Sequence, residues 1–206
     1  QPRLMERLSA LLAAEGLIAG QVLLTPYDFG HREQYLHARE TLGRLLDLGV
    51  IPIVNENDTV ADDEIRYGDN DRLAALVSHL VDANVLVLLT DTDGLYTADP
   101  RLDSEASLIE EIVVVDEAHE QGAGGPGTKR GSGGMASKLA AAKMASWSGV
   151  RVVIAASDAP EVVMGAIEEK SVGTVIQPRT EKLSSRKLWI AFGRASAGRI
   201  VVDAGA

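Results

Sequence analysis

Three polar segments of the sequence have residue types that could bind anionic or zwitterionic ligands. The first, residues 55–58 (NEND), directly follows an apolar run at 50–54. The amides of asparagine can reach a carboxylate and Asp58 can pair with an ammonium group, so the segment suits a zwitterionic ligand. The same residues also favour a turn held by their own side chains. For this segment alone, a ligand site and a plain turn both stay open.

The second segment, residues 68–71 (GDND), opens a predicted helix. Asp and Asn are good N-caps, and a carboxylate is favoured at the positive end of a helix. Capping accounts for one of these residues but not for three in a row. A carboxylate here could orient two basic groups that hold a transferring phosphate, or it could interact with Mg²⁺. Capping alone and capping combined with function are both open.

The third segment is a glycine-rich loop at 122–134 that runs into Met-Ala-Ser-Lys at 135–138. Glycines let backbone N–H groups approach a phosphate closely, and the following helix supplies its positive end. Lys138, in the first turn of that helix, could reach a β- or γ-phosphate as a point charge. The segment is not a Walker A motif, because the pattern GxxxxGK[ST] is absent. The alternative is a flexible surface loop before an exposed lysine.

A fourth segment adds polar residues at the end of an apolar strand. The run at 85–89 (VLVLL) leads into Thr90, Asp91 and Asp93, with a turn at Gly94. Thr and Asp at the end of a parallel strand can contact a base, a ribose or a metal-bound phosphate. Turn formation is again the alternative.

Apolar periodicity predicts the elements that would position these four segments. Helices are predicted at 3–15, 32–48, 70–81, 135–148 and 159–168, and strands at 17–25, 50–54, 85–89 and 150–155. The alternation predicts an α/β fold with a mainly parallel sheet between two layers of helices, a three-layer αβα sandwich. The run at 85–89 is apolar throughout, as expected for a strand covered on both faces. Two further short strands are predicted at 189–192 and 199–202.

Composition narrows the functional classes. The chain has 206 residues, no Cys and four His without metal-ligand spacing, which disfavours thiol chemistry and a His-based metal site. Its formal net charge of −10 argues against a broad nucleic-acid-binding face. It still permits an anionic substrate, because donors can cluster locally. With no long apolar run and no visible signal peptide, we expect a soluble, cytoplasmic protein without membrane partners.

Two of these motifs together resemble the amino-acid-kinase family. They are TDTDGLYTADP at 90–100 and GSGGMASK at 131–138, which are similar to the nucleotide-binding half of that family. The pair NEND and YGDND, at 55–58 and 67–71, resembles the glutamate 5-kinases within it, as does GQVLLTPYDF at 20–29. The resemblance extends over nearly the whole chain. It implies the amino-acid-kinase fold and phosphorylation of the γ-carboxylate of L-glutamate by ATP, the first step of proline biosynthesis.

The resemblance also implies roles for individual residues. Asp58 and Asn70 would bind glutamate, and Asn55 would border its pocket. Asp71 would organise the catalytic lysines, and Lys138 would stabilise the transferring phosphoryl group. The residues implied in ATP binding are Thr90, Asp91, Ser132, Gly133, Gly134, Met135, Ala136, Ser137 and Lys138. Mg²⁺ would arrive with ATP and have no direct protein ligand. The resemblance further implies a homo-oligomer, dimer or tetramer, and proline as a possible feedback inhibitor.

The sequence departs from the family pattern at its start. Two segments of the family pattern would lie upstream of Gln1, where this sequence begins. They are an opening strand with a lysine-bearing glycine turn and a later Ser-Gly-Ala segment. We therefore expect an amino-acid-kinase domain at 1–178 that lacks its N-terminal strands. We expect a C-terminal hairpin or linker at 179–206, which could lead to a PUA domain not present in this sequence. Two alternatives stay open for function: another family member that acts on acetylglutamate, aspartate or UMP, and a nucleotide- or amino-acid-binding fragment without turnover.

Overall fold

The computed structural model describes residues 2–57, 70–123 and 134–181, together with Leu183 and Lys187. The elements in these residues are α1 (Pro2–Ala14), β1 (Ile18–Leu24), α2 (Pro26–Gly30), α3 (Arg32–Asp47), β2 (Val50–Glu56), α4 (Asn70–Leu80), β3 (Val85–Thr90), β4 (Glu111–Ile112), α5 (Glu117–Gly122), α6 (Met135–Trp147), β5 (Arg151–Ala156), α7 (Val162–Ile167) and β6 (Thr174–Ile176). Each predicted element within the described residues matches an observed one to within three residues at either end. The short elements α2, α5, β4 and β6 were not predicted.

The strands form two sheets. In one, β1 and β2 pair in parallel, from Ile18 opposite Val50 to Leu24 opposite Glu56. The other has four strands in the order β3-β5-β6-β4. Its pairs β3–β5 and β4–β6 are parallel, whereas β5 and β6 run antiparallel. Pairing is therefore mainly parallel, as predicted, with one antiparallel contact at the centre of the larger sheet.

Strand β5 shows why the chain forms three layers. Val152 and Ile154 pack against α6 on one face of the sheet, in a cluster that also includes Ala75 of α4. Val153 and Ala155 point the opposite way and pack against α7. All four are at most 1% exposed. Because both faces of the strand are covered, its sequence is a continuous apolar run and not an alternating one.

Strand β3 has side chains packed on both faces, as its apolar sequence predicts, although it is an outer strand of the sheet. Its side chains do pack on both faces, Leu88 with the α6 layer and Val87 with the α7 layer. However, β3 lies at the edge of the four-stranded sheet, and Leu89 is 43% exposed. A run of apolar residues predicts that the faces of a strand are covered, but it carries no information about the strand's place in the sheet.

The smaller sheet has its own core. Leu24 of β1, Phe29 of α2 and Leu42 of α3 are buried against Leu80 of α4. By contrast, α1 forms where the spacing of its leucines predicts a helix, yet none of its residues is buried. None of the described helices combines the length and apolar character needed to cross a bilayer.

Helix α4 packs into the cores of both sheets. Ala75 is fully buried in the cluster that covers the four-stranded sheet. Leu80 is buried in the cluster of the smaller sheet, with Leu76 and Val77 packed beside it. Helix α4 is therefore held by two cores at once.

A half-buried histidine, His79, lies on α4 and packs near Tyr35 of α3. Within the part of the chain that the structure describes, Nε2 of His79 is buried and has no hydrogen-bond partner. The ring lies 6.4 Å from the ring of Tyr35, near the exposed ion pair of Arg39 with Asp82. Burial lowers the pKa of His79, because desolvation disfavours the charged imidazolium. The charge of Asp82 opposes this effect in part.

Gly173 turns the chain into β6 with a positive φ of 63°. A Cβ atom at this position would lie 2.1 Å from the backbone oxygen of Ile154. Glycine is therefore required here both for its positive φ and because a side chain would collide with β5.

The chain just beyond residue 178 continues to pack on the end of α6. The backbone N–H of Arg179 donates to the carbonyl oxygen of Ser146 at 3.0 Å, and its guanidinium lies 4.4 Å from the ring centroid of Trp147. The N–H of Leu183 donates to the carbonyl oxygen of Trp147. The strands predicted at 189–192 and 199–202 lie outside the described residues, and the domain boundary at 178 stays a prediction.

Candidate active site

The beginnings of α4 and α6 lie at the same end of the four-stranded sheet as the carboxyl ends of β3 and β5. Each helix connects by a short turn to the strand that follows it and packs against that strand. A helix that precedes and packs along a strand in this way runs opposite to it, so its first residues lie where the strand ends. Strands β3 and β5 are parallel and in register from Val85 opposite Arg151 to Thr90 opposite Ala156. Open α/β sheets bind ligands at this end, outside the carboxyl ends of the strands.

A buried ion pair joins the first turns of the two helices. Nζ of Lys138 on α6 lies 2.9 Å from Oδ1 and 3.2 Å from Oδ2 of Asp71 on α4. The side chains of Lys138 and Asp71 are only 14% and 11% exposed. Sixty-seven residues separate the two in sequence, so the fold and not local structure brings them together. The carboxylate is further favoured by its position in the first turn of α4, the positive end of that helix.

Ser137 completes this cluster. Its hydroxyl donates to Oδ2 of Asp71 at 2.7 Å. Asp71 thus accepts hydrogen bonds from two consecutive residues of α6. The three residues, called here the Asp71 cluster, place an ammonium group and the positive ends of two helices within one small region. Such a region favours an anion even in a chain with a net charge of −10.

The residues that precede Ser137 form the first turn of α6. Gly134 is its N-cap, exposed and in an extended conformation. Met135 and Ala136 are half-buried, and the side chain of Met135 packs against the core. The N–H groups of the first residues of a helix have no carbonyl partner within that helix. They can therefore donate to an anion that lies at the beginning of α6.

Thr90 and Asp91 end β3 at the same edge of the sheet. The hydroxyl of Thr90 donates to Oδ1 of Asp91 at 3.2 Å, and both residues are accessible to solvent. The carbonyl oxygen of Thr90 accepts a hydrogen bond of 2.8 Å from the N–H of Ser157, which follows β5. The polar residues that follow β3 and β5 are thus adjacent.

The loop after β3 is anchored to β6. The hydroxyl of Thr174, which is fully buried, accepts a hydrogen bond of 2.8 Å from the N–H of Leu95. Gly94 packs so closely against Thr174 that a Cβ atom would lie 2.6 Å from its hydroxyl oxygen. Farther along, the hydroxyl of Tyr96 donates to Asp93 at 2.9 Å, which raises the pKa of the phenol. These contacts hold Asp91 and its neighbours in a fixed loop.

The structure describes only some of the residues predicted to bind glutamate. Asn55 is half-buried near the end of β2, in register opposite Leu23 of β1. Asn70 is exposed at the first position of α4, next to Asp71. Asp58, Ser132 and Gly133 lie outside the described residues. The structure therefore brings Asp71, Ser137 and Lys138 together and places Asn70 beside them, while the roles of all these residues stay predictions.

Ser157 was missed by the sequence reasoning. It is exposed at the end of β5, one hydrogen bond from Thr90. The signal that identified Thr90, a polar residue directly after an apolar strand, is also present at Ser157 and could have found it.

The described residues offer no cluster of metal ligands. Across 2–57, 70–123 and 134–181, no three His, Cys, Asp or Glu side chains converge in a way that could hold a metal ion. Both carboxylate oxygens of Asp71 already accept hydrogen bonds, from Lys138 and Ser137. This carboxylate is therefore placed to hold the lysine.

Comparison with known proteins identifies the family of this arrangement. Residues 1–156 match the model of the amino acid kinase family. The glutamate 5-kinase of Vibrio vulnificus (strain YJ016) is 48% identical over 206 residues, which are 100% of this chain and 54% of that protein. The glutamate 5-kinase of Aliivibrio salmonicida (strain LFI1238) is 50% identical over 206 residues, again the whole of this chain and 56% of that protein. The chain thus spans about half the length of the curated relatives it matches.

Solved structures share the fold at low sequence identity. An isopentenyl phosphate kinase known from X-ray structures has a TM-score of 0.57 and 23% identity, covering 85% of this chain and 66% of that one. The UMP kinase from Ureaplasma parvum has a TM-score of 0.51 and 16% identity, covering 81% of this chain and 63% of that one. These likenesses confirm the predicted α/β fold. From the family match over residues 1–156, the chain belongs to the amino acid kinase family.

Proposed function

We propose that the protein phosphorylates the γ-carboxylate of L-glutamate with ATP, giving L-glutamyl 5-phosphate, the first step of proline biosynthesis. The observation that carries phosphoryl transfer is the Asp71 cluster, in which a buried lysine and two helix N-termini converge at the ligand-binding edge of the sheet. The choice of glutamate is supported by relatives named glutamate 5-kinase, which are 48–50% identical across the whole of this chain.

The proposed reaction needs positioning and charge neutralisation more than proton transfer. A glutamate γ-carboxylate is ionised near neutral pH, so it can attack without a general base. One of its oxygens forms a bond to the γ-phosphorus while the bond from that phosphorus to the β–γ bridging oxygen breaks, and that electron pair leaves with ADP. Both reactants are anions, so donors must offset their repulsion and stabilise the transition state. Lys138 is the described cation best placed for this.

Each predicted site residue then has a role in this reaction. Lys138 would contact the transferring phosphoryl group, and Asp71 would hold the lysine in place. Thr90 and Asp91 would contact the nucleotide, together with the segment at 132–138. Asn70, Asn55 and Asp58 would bind glutamate through its charged groups. Support for the glutamate roles comes from the motif resemblance and from the position of Asn70 beside Asp71.

Mg²⁺ would be held by the phosphates of ATP. When bound, it neutralises phosphate charge and orients the β- and γ-phosphates. By the same resemblance, we expect a cytoplasmic homo-oligomer that is inhibited by proline.

The test is hydroxylamine trapping of the acyl phosphate made from ATP and L-glutamate, alongside ADP release. Acetylglutamate, aspartate and UMP are the competing substrates. Glutamate-selective product is expected. Product from another substrate instead would reassign the chain within its family, and ATP binding without any product would show a binding module without turnover.

A lysine pair on α6 tests the site itself. Lys138→Met should lower kcat by about 10²–10³, the usual effect of removing one donor to a transition-state charge. Glutamate affinity, measured by calorimetry, should change little. Lys143→Met is the matched control, because Lys143 lies on the same helix in a half-exposed ion pair with Glu120. Full activity of Lys138→Met would contradict the proposed role of this lysine.

A further inference from the structure

Both hydrogen-bond donors of Ser137 are already engaged in the structure. A serine has one hydroxyl proton and one backbone N–H. The hydroxyl donates to Oδ2 of Asp71 at 2.7 Å, and the backbone N–H donates to the carbonyl oxygen of Gly134 at 3.0 Å. A phosphate oxygen needs a donor, so in this arrangement Ser137 has none to offer it. In this arrangement the side chain of Ser137 is bonded to Asp71, and the ATP-binding role that the resemblance implies for it stays a prediction.

The contact of Ser137 instead fixes the orientation of a carboxylate. Oδ1 of Asp71 accepts from Lys138, and Oδ2 accepts from both Ser137 and Lys138. Consecutive residues of a helix point about 100° apart, so they do not normally face the same partner. Here both side chains nevertheless reach one carboxylate, at 2.7 Å from the serine hydroxyl and 2.9 Å from the lysine Nζ.

Without the serine hydroxyl, the carboxylate would be bonded only to the lysine within this cluster. Asp71 and Lys138 could then shift together, because each would be held chiefly by the other. The bond from Ser137 ties the carboxylate to the backbone of α6 through a side chain with a single χ angle. It thereby sets the position of Nζ relative to the first N–H groups of the same helix.

We propose that Ser137 is a positioning residue, which acts through Asp71 to hold the Lys138 ammonium where the transferring phosphoryl group would lie. This inference rests on the proposed phosphoryl transfer and adds to it a residue that does not touch ATP through its side chain. The hydroxyl matters and the size of the side chain does not, so threonine should substitute for serine and alanine should not. Ala is also the best helix former, so Ser137→Ala should leave α6 folded.

The kinetic test compares Ser137→Ala, Ser137→Thr and Ser148→Ala, the last a control at the other end of α6. Ser137→Ala should lower kcat about 10- to 100-fold, the range for removing a group that orients a catalytic one, with the KM for ATP within about twofold. Ser137→Thr should restore most of kcat, and Ser148→Ala should change neither constant. A rise in the KM for ATP in Ser137→Ala, with kcat kept, would show that the hydroxyl binds phosphate directly and would overturn the proposal.

A second readout does not depend on activity. Reductive methylation followed by mass spectrometry gives the reaction rate of each lysine. The rate at Lys138 should rise severalfold in Ser137→Ala and stay low in Ser137→Thr, with Lys143 as the internal reference. An unchanged rate in Ser137→Ala would show that the serine does not hold the pair and would overturn the proposal. If no variant turned over any substrate, the proposed reaction would fail, while the methylation rates would still decide the role of Ser137.

Discussion

The ion pair between Asp71 and Lys138 can be tested through stability, without reference to any reaction. Asp71→Asn keeps the shape of the side chain and removes its charge, and Lys138→Met keeps the length of the lysine stem. The two side chains are 11% and 14% exposed and their charged atoms lie 2.9 Å apart. Each single variant therefore leaves one charge largely buried and without its partner.

The two single variants should not cost the same. Removing one partner of a buried pair typically costs about 3–5 kcal/mol, and the residual exposure favours the low end, about 3 kcal/mol, for Asp71→Asn. The remaining lysine would lie in the first turn of α6, where the helix dipole disfavours a cation. Lys138→Met should cost less, about 1–2 kcal/mol, because Asp71 keeps its bond from Ser137 and the positive end of α4. The double variant leaves no unpaired charge, so the losses should fall short of the sum by at least about 1 kcal/mol.

Urea unfolding, followed by circular dichroism and tryptophan fluorescence, measures these free energies. The control is Asp82→Asn, which removes the exposed partner of Arg39, with side chains 74% and 47% exposed. Asp82 has a positive φ of 52°, a conformation that asparagine tolerates well. Its loss should stay below about 1 kcal/mol. Additive losses in the double variant, or an Asp71→Asn loss no larger than that of the control, would refute the buried pair.

Two further variants test single features of the packing. Burial lowers the pKa of His79, so as the pH falls the unfolded chain binds a proton at this residue before the folded chain does. The contribution of neutral His79 to stability is therefore fully present above the ordinary pKa of 6.5, and it is lost as the pH drops toward the pKa in the folded state. In His79→Gln, the urea midpoint should fall less between about pH 7.5 and pH 5.5 than it does in the unmodified protein. The control His37→Gln, at an exposed histidine, should leave this pH dependence unchanged. An unchanged pH dependence in His79→Gln would contradict the argument. Gly173→Ala should cost more than about 3 kcal/mol, because its Cβ would clash with the oxygen of Ile154. The control is Gly16→Ala, where φ is 74° but an added Cβ would have no atom within 4 Å. In thermal melts this variant should lose only about 1–2 kcal/mol of stability. Equal losses in the two variants would rule out the clash at Gly173.

The sequence predicts the long elements of the fold well, because each carries several turns or residues of one periodicity. The helix at 135–147 and the strand at 151–156 were predicted to within one residue at each end. Short elements carry too little pattern: β4 has two residues and β6 has three. The antiparallel pairing of β6 with β5 is a tertiary contact, and apolar periodicity carries no information about strand direction.

The site is predictable to a similar depth. The motifs around Asp71 and Lys138 identified two residues that the structure pairs directly. The bond from Ser137 to Asp71 could not be foreseen, because the two lie 66 residues apart and a hydroxyl can turn toward any nearby acceptor. Asp58 was selected by its motif, and its role stays a prediction.

Helix α4 couples the unfolding of the two hydrophobic cores in the described part of the chain. Because Ala75 and Leu80 belong to different cores, neither core can open fully while the other keeps α4 in place. Amide protons of α4 should therefore exchange with deuterium at the slow rate of global opening, and not at the rate of either sheet alone. Asp71 lies in the first turn of this helix, so an anion bound beside it would slow exchange in β1 and β2 as well, although neither strand would touch it.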